Sequence, residues 1–144
     1  MVISVLSGRG FPPQEALQWL DTQGSKYLKN GNIWRVAPEG AGIDLISELF
    51  KRGERLTCHL PSTIYWSPAK DQPLLNFLKK RNCLREIHAE YPRGDEYLSR
   101  NMRMITTSKL LVAFYDGREG ALEKSIANAQ RMKKKIIIVS REGE

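Results

Sequence analysis

Residues 110–129 of this 144-residue sequence read LLVAFYDGREGALEKSIANA, and this stretch decides the fold. Its first six residues form a continuous apolar run, as expected for a central parallel strand that is buried on both faces. A glycine-containing turn at 116–120 follows, and Leu122, Ile126 and Ala129 then recur at helical spacing. The stretch therefore predicts a buried strand, a turn at its carboxyl end and a helix that packs back onto a sheet.

The same alternation extends over nearly the whole chain. With 110–115, further apolar runs predict a sheet of about five strands: 2–6, 32–37, 55–60 and 136–139. Apolar stripes predict helices from Pro12 to Asn30, at 43–50, 74–81 and 95–107, and from near Glu119 onward. Because crossovers between parallel strands are right-handed, this order predicts a Rossmann-like α/β domain of three layers, with a mostly parallel sheet. We expect one domain over 1–144, with a loop at 61–73 and either strand or loop at 84–91.

The composition limits the function classes. The net charge of +7 is compatible with nucleic-acid binding, attraction of a phosphorylated small molecule, or solubility alone. No apolar run could cross a bilayer and no secretory signal is present, so no membrane association is expected. Cys58 and Cys83 lack the CxxC spacing, which indicates a reduced, cytoplasmic protein. His59 and His88 have no cluster of further ligands, so neither a metal site nor a cofactor is expected.

Three glycine-containing turns follow predicted strands, and in a parallel sheet such turns lie at one edge, where ligands bind. The first is Ser7-Gly8-Arg9-Gly10. Its small residues would let backbone amides approach a phosphate, and Arg9 could donate two hydrogen bonds. An ordinary strand-to-helix turn explains this pattern equally well.

The second turn has Gly40 and Gly42 directly before a predicted helix, where unpaired amides favour an anion. Glu39 and Ala41 belong to the same candidate site. Asp44 either caps the helix or accepts a hydrogen bond from a ribose hydroxyl. A bulky residue in place of Gly42 is expected to lower ligand affinity more than stability.

The third turn combines carboxylates with glycines, as expected where a sugar and a phosphate are held together: Asp116, Gly117, Gly120, Ala121 and Glu123. Arg100 and Asn101 could reach the same edge. With Leu98, Met102 and Ile105 facing inward, however, the helical pattern by itself favours a solvated face for Arg100. We expect the glycines of the three turns to converge on one cleft.

Two aromatic residues, Tyr65 and Trp66, lie in the predicted loop without helical or strand spacing. They either stack on a base as a lid or form a small packing cluster of their own.

These motifs together resemble the SLOG superfamily of Rossmann-like nucleotide-binding proteins, over almost the whole chain. GAGID at 40–44 is similar to its glycine-rich turn. SRNMRM at 99–104, LLVAFYDG at 110–117 and EGALEKSIANA at 119–129 are similar to its arginine-asparagine helix, central strand and glycine-threonine turn. The most similar branch is the YAcAr type, often met in phage and defence-linked settings. Relatives include the LOG phosphoribohydrolases and the DNA-processing protein A family, and the resemblance implies a homo-oligomer.

The sequence departs from both relatives at functional positions. In LOG enzymes a catalytic glutamate follows the threonine of the turn by three residues. Here Ala121 occupies the threonine position and Lys124 the glutamate position, while Glu123 comes one place early. A lysine would oppose the cationic transition state of the departing sugar. Ala41 replaces the arginine of the DNA-processing version.

Three functions stay open. The first is binding of a nucleotide or a phosphorylated-ribose derivative, such as a signalling nucleotide, without robust catalysis. The second is a nucleoside 5'-monophosphate phosphoribohydrolase, with Glu123 as the carboxylate and Arg100 positioning the phosphate. The third is binding of single-stranded DNA. Because Glu123 and Lys124 lie about 100° apart around a helix, only one of them can face the cleft.

Overall fold

The computed structural model describes residues 1–87 and 95–141, and within them six strands form one parallel sheet. Its spatial order is β4-β3-β2-β1-β5-β6. The strands are β1 (Val2–Ser7), β2 (Ile33–Val36), β3 (Arg55–His59), β4 (Leu84–Arg85), β5 (Leu110–Tyr115) and β6 (Lys135–Ser140). The helices are α1 (Pro13–Asp21), α2 (Gly42–Lys51), α3 (Gln72–Lys80), α4 (Glu96–Thr106) and α5 (Ala121–Arg131).

The predicted Rossmann-like sheet is confirmed, and the described pairs of strands are all parallel. The sheet gains a sixth strand beyond the five expected. It is the two-residue β4, which pairs with Cys58 and His59 of β3 and resolves part of the ambiguous segment 84–91. The rest of that segment, His88 included, lies outside the described residues.

The first helix is shorter than its apolar stripe predicted, because it ends at Asp21 rather than near Asn30. The hydroxyl of Thr22 donates to the carbonyl of Gln18 (2.8 Å), and the amide of Gly24 donates to that of Trp19 (2.8 Å). A Cβ at position 24 would overlap the Trp19 ring, so glycine lets the chain turn closely over that side chain. Tyr27, which the predicted helix included in its apolar stripe, is still buried, but it belongs to a short 3-10 turn at Ser25–Tyr27.

The hydrophobic core lies in two clusters, one on each face of the sheet. The larger one joins α1, α2 and α3 to the strands, and Phe114 at its centre meets Phe11 and Trp19 edge-on, with ring centroids 5.2 and 5.5 Å apart. The smaller one packs Met104 of α4 and Ile126 of α5 against β1 and β5. The predicted layers on both faces are therefore present.

The predicted loop over 61–73 contains two 3-10 turns, Ile64–Trp66 and Ala69–Asp71, and its last two residues already belong to α3. It runs from the carboxyl end of β3 to α3 and lies beside the turn that follows β2. In the described part of the chain, no helix is long and apolar enough to cross a membrane.

Candidate functional site

A cavity of about 310 Å³ opens at the carboxyl ends of the central strands; we name it the edge cavity. The turns after β1, β2 and β5 meet there with one face of α4. The first two turns and α4 contribute six of the predicted site residues to its wall: Ser7, Gly8, Arg9, Glu39, Arg100 and Asn101. The third turn contributes Asp116, Gly120 and Ala121.

A second cavity of about 490 Å³ adjoins the edge cavity; we name it the side cavity. The two share Arg9, Glu39 and Tyr97 in their walls. Gly40 of the second turn lines the side cavity, as does Trp66 of the segment after β3.

Arg100 is the most deeply buried charged side chain of the edge cavity, with 3 % of its surface exposed. One terminal nitrogen donates to Oε2 of Glu39 (2.9 Å) and the other to Oε1 of the same carboxylate. Its Nε donates to Oδ1 of Asn101 (3.0 Å), whose amide donates to Oγ of Ser125 on α5 (3.1 Å). This chain of hydrogen bonds connects α4 to the turn after β2 and to α5.

The solvated helix face expected for Arg100 is therefore wrong. The buried residues of α4 are Arg100, Asn101, Met104 and Ile105; of the predicted apolar stripe, Ile105 is buried, whereas Leu98 and Met102 are only partly buried. The helix turns its arginine inward because Glu39, 61 positions away in the sequence, supplies a partly buried carboxylate. That partner compensates the charge which would otherwise keep the side chain in water.

Asp116 organises the first and third turns from inside the protein, with 7 % of its surface exposed. Its carboxylate accepts hydrogen bonds from the amides of Gly10 (2.9 Å) and Arg118 (3.2 Å). The amide of Gly8 donates to the carbonyl of Phe114 (2.9 Å). Two amides of the first turn therefore already have acceptors within the protein. They stabilise the contact between the first and third turns and are not free to bind a phosphate.

Gly40 and Gly42 serve close approaches of the backbone. Gly40 has a positive φ of 59°, and a Cβ there would overlap the carbonyl oxygen of Gly8. A Cβ on Gly42 would overlap the carbonyl oxygen of Ala37, immediately after β2. This glycine is therefore a packing requirement of the fold, and the relative effect of a larger residue at position 42 on binding and on stability stays a prediction.

Several predicted residues lie outside both cavities. The amide of Ala41 donates to Oγ of Ser7 (3.0 Å), which joins the first two turns, and Asp44 is exposed on α2. Gly117, in the left-handed region at φ 80°, lines neither cavity. The predicted glycines therefore do not all meet in one cleft. Gly8 and Gly120 line the edge cavity, whereas Gly40 lines the side cavity.

Glu123 also lies outside the edge cavity, and so does Lys124. Both side chains are exposed, and Glu123 accepts a hydrogen bond from the Tyr115 hydroxyl (2.9 Å), which raises the pKa of that hydroxyl. The helical spacing predicts that only one of the two can face the cleft, and neither does. Instead, the buried position in this turn of α5 is Ser125, whose hydroxyl donates to the carbonyl of Ala121 (2.6 Å).

Six residues of the edge cavity were not among the predicted ones: the apolar Leu6, Ala37 and Leu122, and the polar Tyr97, Arg118 and Glu119. Tyr97 lies one helical turn before Arg100, and the Arg9 guanidinium lies 5.2 Å from the centre of its ring. Arg118 and Glu119 belong to the third turn, where their charges and their position between Gly117 and Gly120 are the signal that identifies them. Nε of Arg118 lies 3.9 Å from Oδ2 of Asp116.

The candidate nucleophile and metal ligands lie elsewhere. Burial raises the pKa of the Cys58 thiol, so it stays protonated. Burial, and then the charges of nearby arginines, Arg35 first, lower the pKa of His59 to about 4. Within 1–87 and 95–141, no three potential ligand side chains are grouped for a metal ion.

Fold and site together define a Rossmann-like α/β protein with its cavity at the carboxyl edge of a parallel sheet. Among solved structures, the chain is similar to the X-ray structure of DNA processing protein A from Streptococcus pneumoniae, with a TM-score of 0.71 and 12 % identity. The match covers 94 % of this chain and 49 % of that one, so the chain spans about half the length of that structure. At this identity the likeness shows the fold alone. The sequence matches no family model and no curated protein.

Proposed function

We propose that the edge cavity binds the phosphate and ribose of a nucleotide-type ligand. The observation that carries this proposal is the open amino end of α5, where Gly120, Ala121 and Leu122 form part of the wall. Amides in the first turn of a helix have no intrahelical acceptor, and the helix dipole places partial positive charge there. An anion is the ligand that such an end accommodates best.

Arg9 is the cation of this cavity with the most freedom to bind a ligand. Arg100 is neutralised by Glu39, and Arg118 lies beside Asp116. Arg9 is exposed and, among the described residues, makes no ion pair with a carboxylate. Its guanidinium can donate two parallel hydrogen bonds to a phosphate.

The proposed ligand is held without robust cleavage of its glycosidic bond. Cleavage would need a carboxylate beside the anomeric carbon, where positive charge develops. Glu39 and Asp116 are engaged by Arg100 and by backbone amides, and Glu123 lies outside the cavity. Glu119 lines the cavity, which makes it the carboxylate to test.

Chromatography of nucleoside 5'-monophosphates incubated with the protein tests this point. We expect no release of free base. Turnover in the wild type that is lost in Glu119→Gln or Glu123→Gln would instead establish the phosphoribohydrolase.

Replacing Ala121 by proline tests the phosphate site with little disturbance of the fold. Proline is favoured at the first position of a helix, so Ala121→Pro removes one amide donor while α5 is retained. A hydrogen bond to a charged group contributes about 1.5–3 kcal/mol, so the affinity for AMP in calorimetry should fall by about tenfold or more. Arg9→Gln should have a similar effect.

Arg131→Gln is the matched control for Arg9→Gln, because Arg131 is an exposed arginine at the carboxyl end of α5, ~15 Å along the helix from Ala121. It should leave the affinity unchanged. Unaltered AMP binding in both Ala121→Pro and Arg9→Gln, with normal thermal unfolding, would refute the phosphate site.

Binding of single-stranded DNA is a second candidate, which the fold shared with DNA processing protein A and the net charge of +7 support. A specific surface favours it. The face of β2, β3 and β4 that is turned towards α4 has a groove of about 470 Å³; we name it the open face, and it includes Arg35, Thr57, His59, Arg85 and, from α4, Arg103. Arg35, Arg85 and Arg103 make no ion pairs with the described carboxylates.

Fluorescence anisotropy of labelled oligo(dT) at several salt concentrations separates the two candidates. If the open face binds the phosphate backbone, Arg35→Gln and Arg85→Gln should each weaken binding and reduce the salt slope by about 1. Arg9→Gln would then have little effect on DNA binding.

Four expectations from the sequence stay predictions: the single domain over 1–144, the homo-oligomer, the cytoplasmic location and the phage or defence setting.

A further inference from the structure

The side cavity continues the edge cavity around one shared wall. Arg9, Glu39 and Tyr97 line both, so a ligand whose phosphate lies against α5 reaches the side cavity past these three side chains. The side cavity is also the larger of the two, about 490 Å³ against about 310 Å³. A phosphate and a sugar bound in the edge cavity would leave the side cavity unfilled.

The outer wall of the side cavity is held in place by hydrogen bonds. The amide of Ile64 donates to a carboxylate oxygen of Glu86 (2.8 Å), and the amide of Ile87 donates to the carbonyl of Ser62 (3.2 Å). The amide of Trp66 donates to the carbonyl of Thr63 (3.1 Å) and closes a 3-10 turn. The wall is therefore formed before any ligand binds.

Aromatic rings are the main feature of this wall. Trp66 is 42 % exposed and lines the cavity, and Tyr97 lines it at the junction with the edge cavity. Tyr65 is 78 % exposed and does not line the cavity; it contacts the Trp66 ring edge-on from outside, at 5.2 Å between centroids. A flat ring system bound in the side cavity can therefore stack on Trp66 but not on Tyr65.

Ser62 supplies a polar group in the same cavity. Ser62 lines the wall, only 1 % of its surface is exposed, and its hydroxyl has no hydrogen-bond partner in the described part of the chain. Buried hydroxyls in folded proteins are nearly always hydrogen-bonded. A polar edge of a bound ring would provide the partner.

We propose that the side cavity is a base subsite and that the ligand is a nucleotide bound through its base as well as its phosphate, rather than a sugar phosphate. Trp66 stacks on the base, Ser62 hydrogen-bonds its polar edge, and the ribose lies at the junction formed by Arg9 and Tyr97. This assignment rests on the proposed phosphate site in the edge cavity.

Calorimetry with ribose 5-phosphate and with AMP, GMP, CMP and UMP tests the subsite. At least one of the four nucleotides should bind about tenfold or more tightly than ribose 5-phosphate, because stacking on an aromatic side chain contributes about 1–3 kcal/mol per base. Trp66→Ala should abolish this difference and leave the affinity for ribose 5-phosphate unchanged. The matched control, Tyr65→Ala, should alter neither affinity.

Tryptophan fluorescence gives a second measurement that does not depend on truncating the side chain. The preferred nucleotide should change the emission of the wild type but not that of Trp66→Phe, because Trp19 and Trp34 are buried in the core. If ribose 5-phosphate binds and all four nucleotides bind no more tightly, the base subsite is wrong and the phosphate site stands. If none of the five binds, both proposals are wrong.

Discussion

Removal of the Glu39 charge should destabilise the protein strongly, because it leaves Arg100 buried without a counter-ion. The Arg100 side chain is 3 % exposed and that of Glu39 18 %. Breaking a buried ion pair by removing one partner costs about 3–5 kcal/mol. Partial exposure of Glu39 places Glu39→Gln at the lower end, about 3 kcal/mol in the free energy of unfolding.

Urea unfolding of Glu39→Gln, Arg100→Met and the double variant measures this effect and its coupling. The double variant should be destabilised less than the sum of the two single variants, because it contains no unpaired buried charge. Glu48→Gln is the matched control: Glu48 pairs with Arg52 at 2.9 Å on the surface of α2, and its loss should cost about 0.5 kcal/mol or less. A cost below about 1 kcal/mol for Glu39→Gln, or full additivity, would refute this account of Arg100.

Three further predictions concern single positions. Gly42→Ala should cost several times more stability than Gly31→Ala in urea unfolding, because a Cβ at 42 overlaps the carbonyl oxygen of Ala37 whereas at 31 it meets open space; equal costs would contradict this. Because the pKa of His59 is lowered from 6.5 to about 4 in the folded state, unfolding takes up a proton below pH 6.5. Stability should therefore fall by up to about 3 kcal/mol as the pH decreases from 6.5 to 4, and His59→Gln should remove that part of the pH dependence. Glu123→Ala should leave the AMP affinity within about twofold of the wild type, since Glu123 lies outside both cavities; a loss of tenfold or more would return it to the site.

The sheet could be predicted from the sequence because buried parallel strands are continuous apolar runs, and LLVAFY at 110–115 shows this most clearly. β4 could not be predicted, since two residues, Leu84 and Arg85, carry no periodicity and pair through β3 alone. The apolar stripe does not predict that α1 ends at Asp21, because this end depends on a tertiary contact. Gly24 packs against Trp19, and local patterns do not record such a contact.

The candidate site was predictable in its position but not in its chemistry. Turns after parallel strands meet at one edge, and this brings Gly8, Arg9 and Gly120 together as expected. The sequence does not show that the carboxylate of Asp116 accepts a hydrogen bond from the Gly10 amide of the first turn, since the two residues are 106 positions apart. The apolar residues Ile126 and Ala129 of α5 face inward as predicted, but the burial of Ser125 depends on its contact with Asn101 of α4, which the sequence does not show.

Chemical-shift mapping of ¹⁵N-labelled protein with AMP tests the central claim, that a phosphate lies at the amino end of α5. The amides of Gly120, Ala121 and Leu122 should shift most, with Arg9 next, and ribose 5-phosphate should shift the same α5 amides. Largest shifts on the open face, at Arg35 and His59, or no shift at α5 at saturating AMP, would contradict the claim.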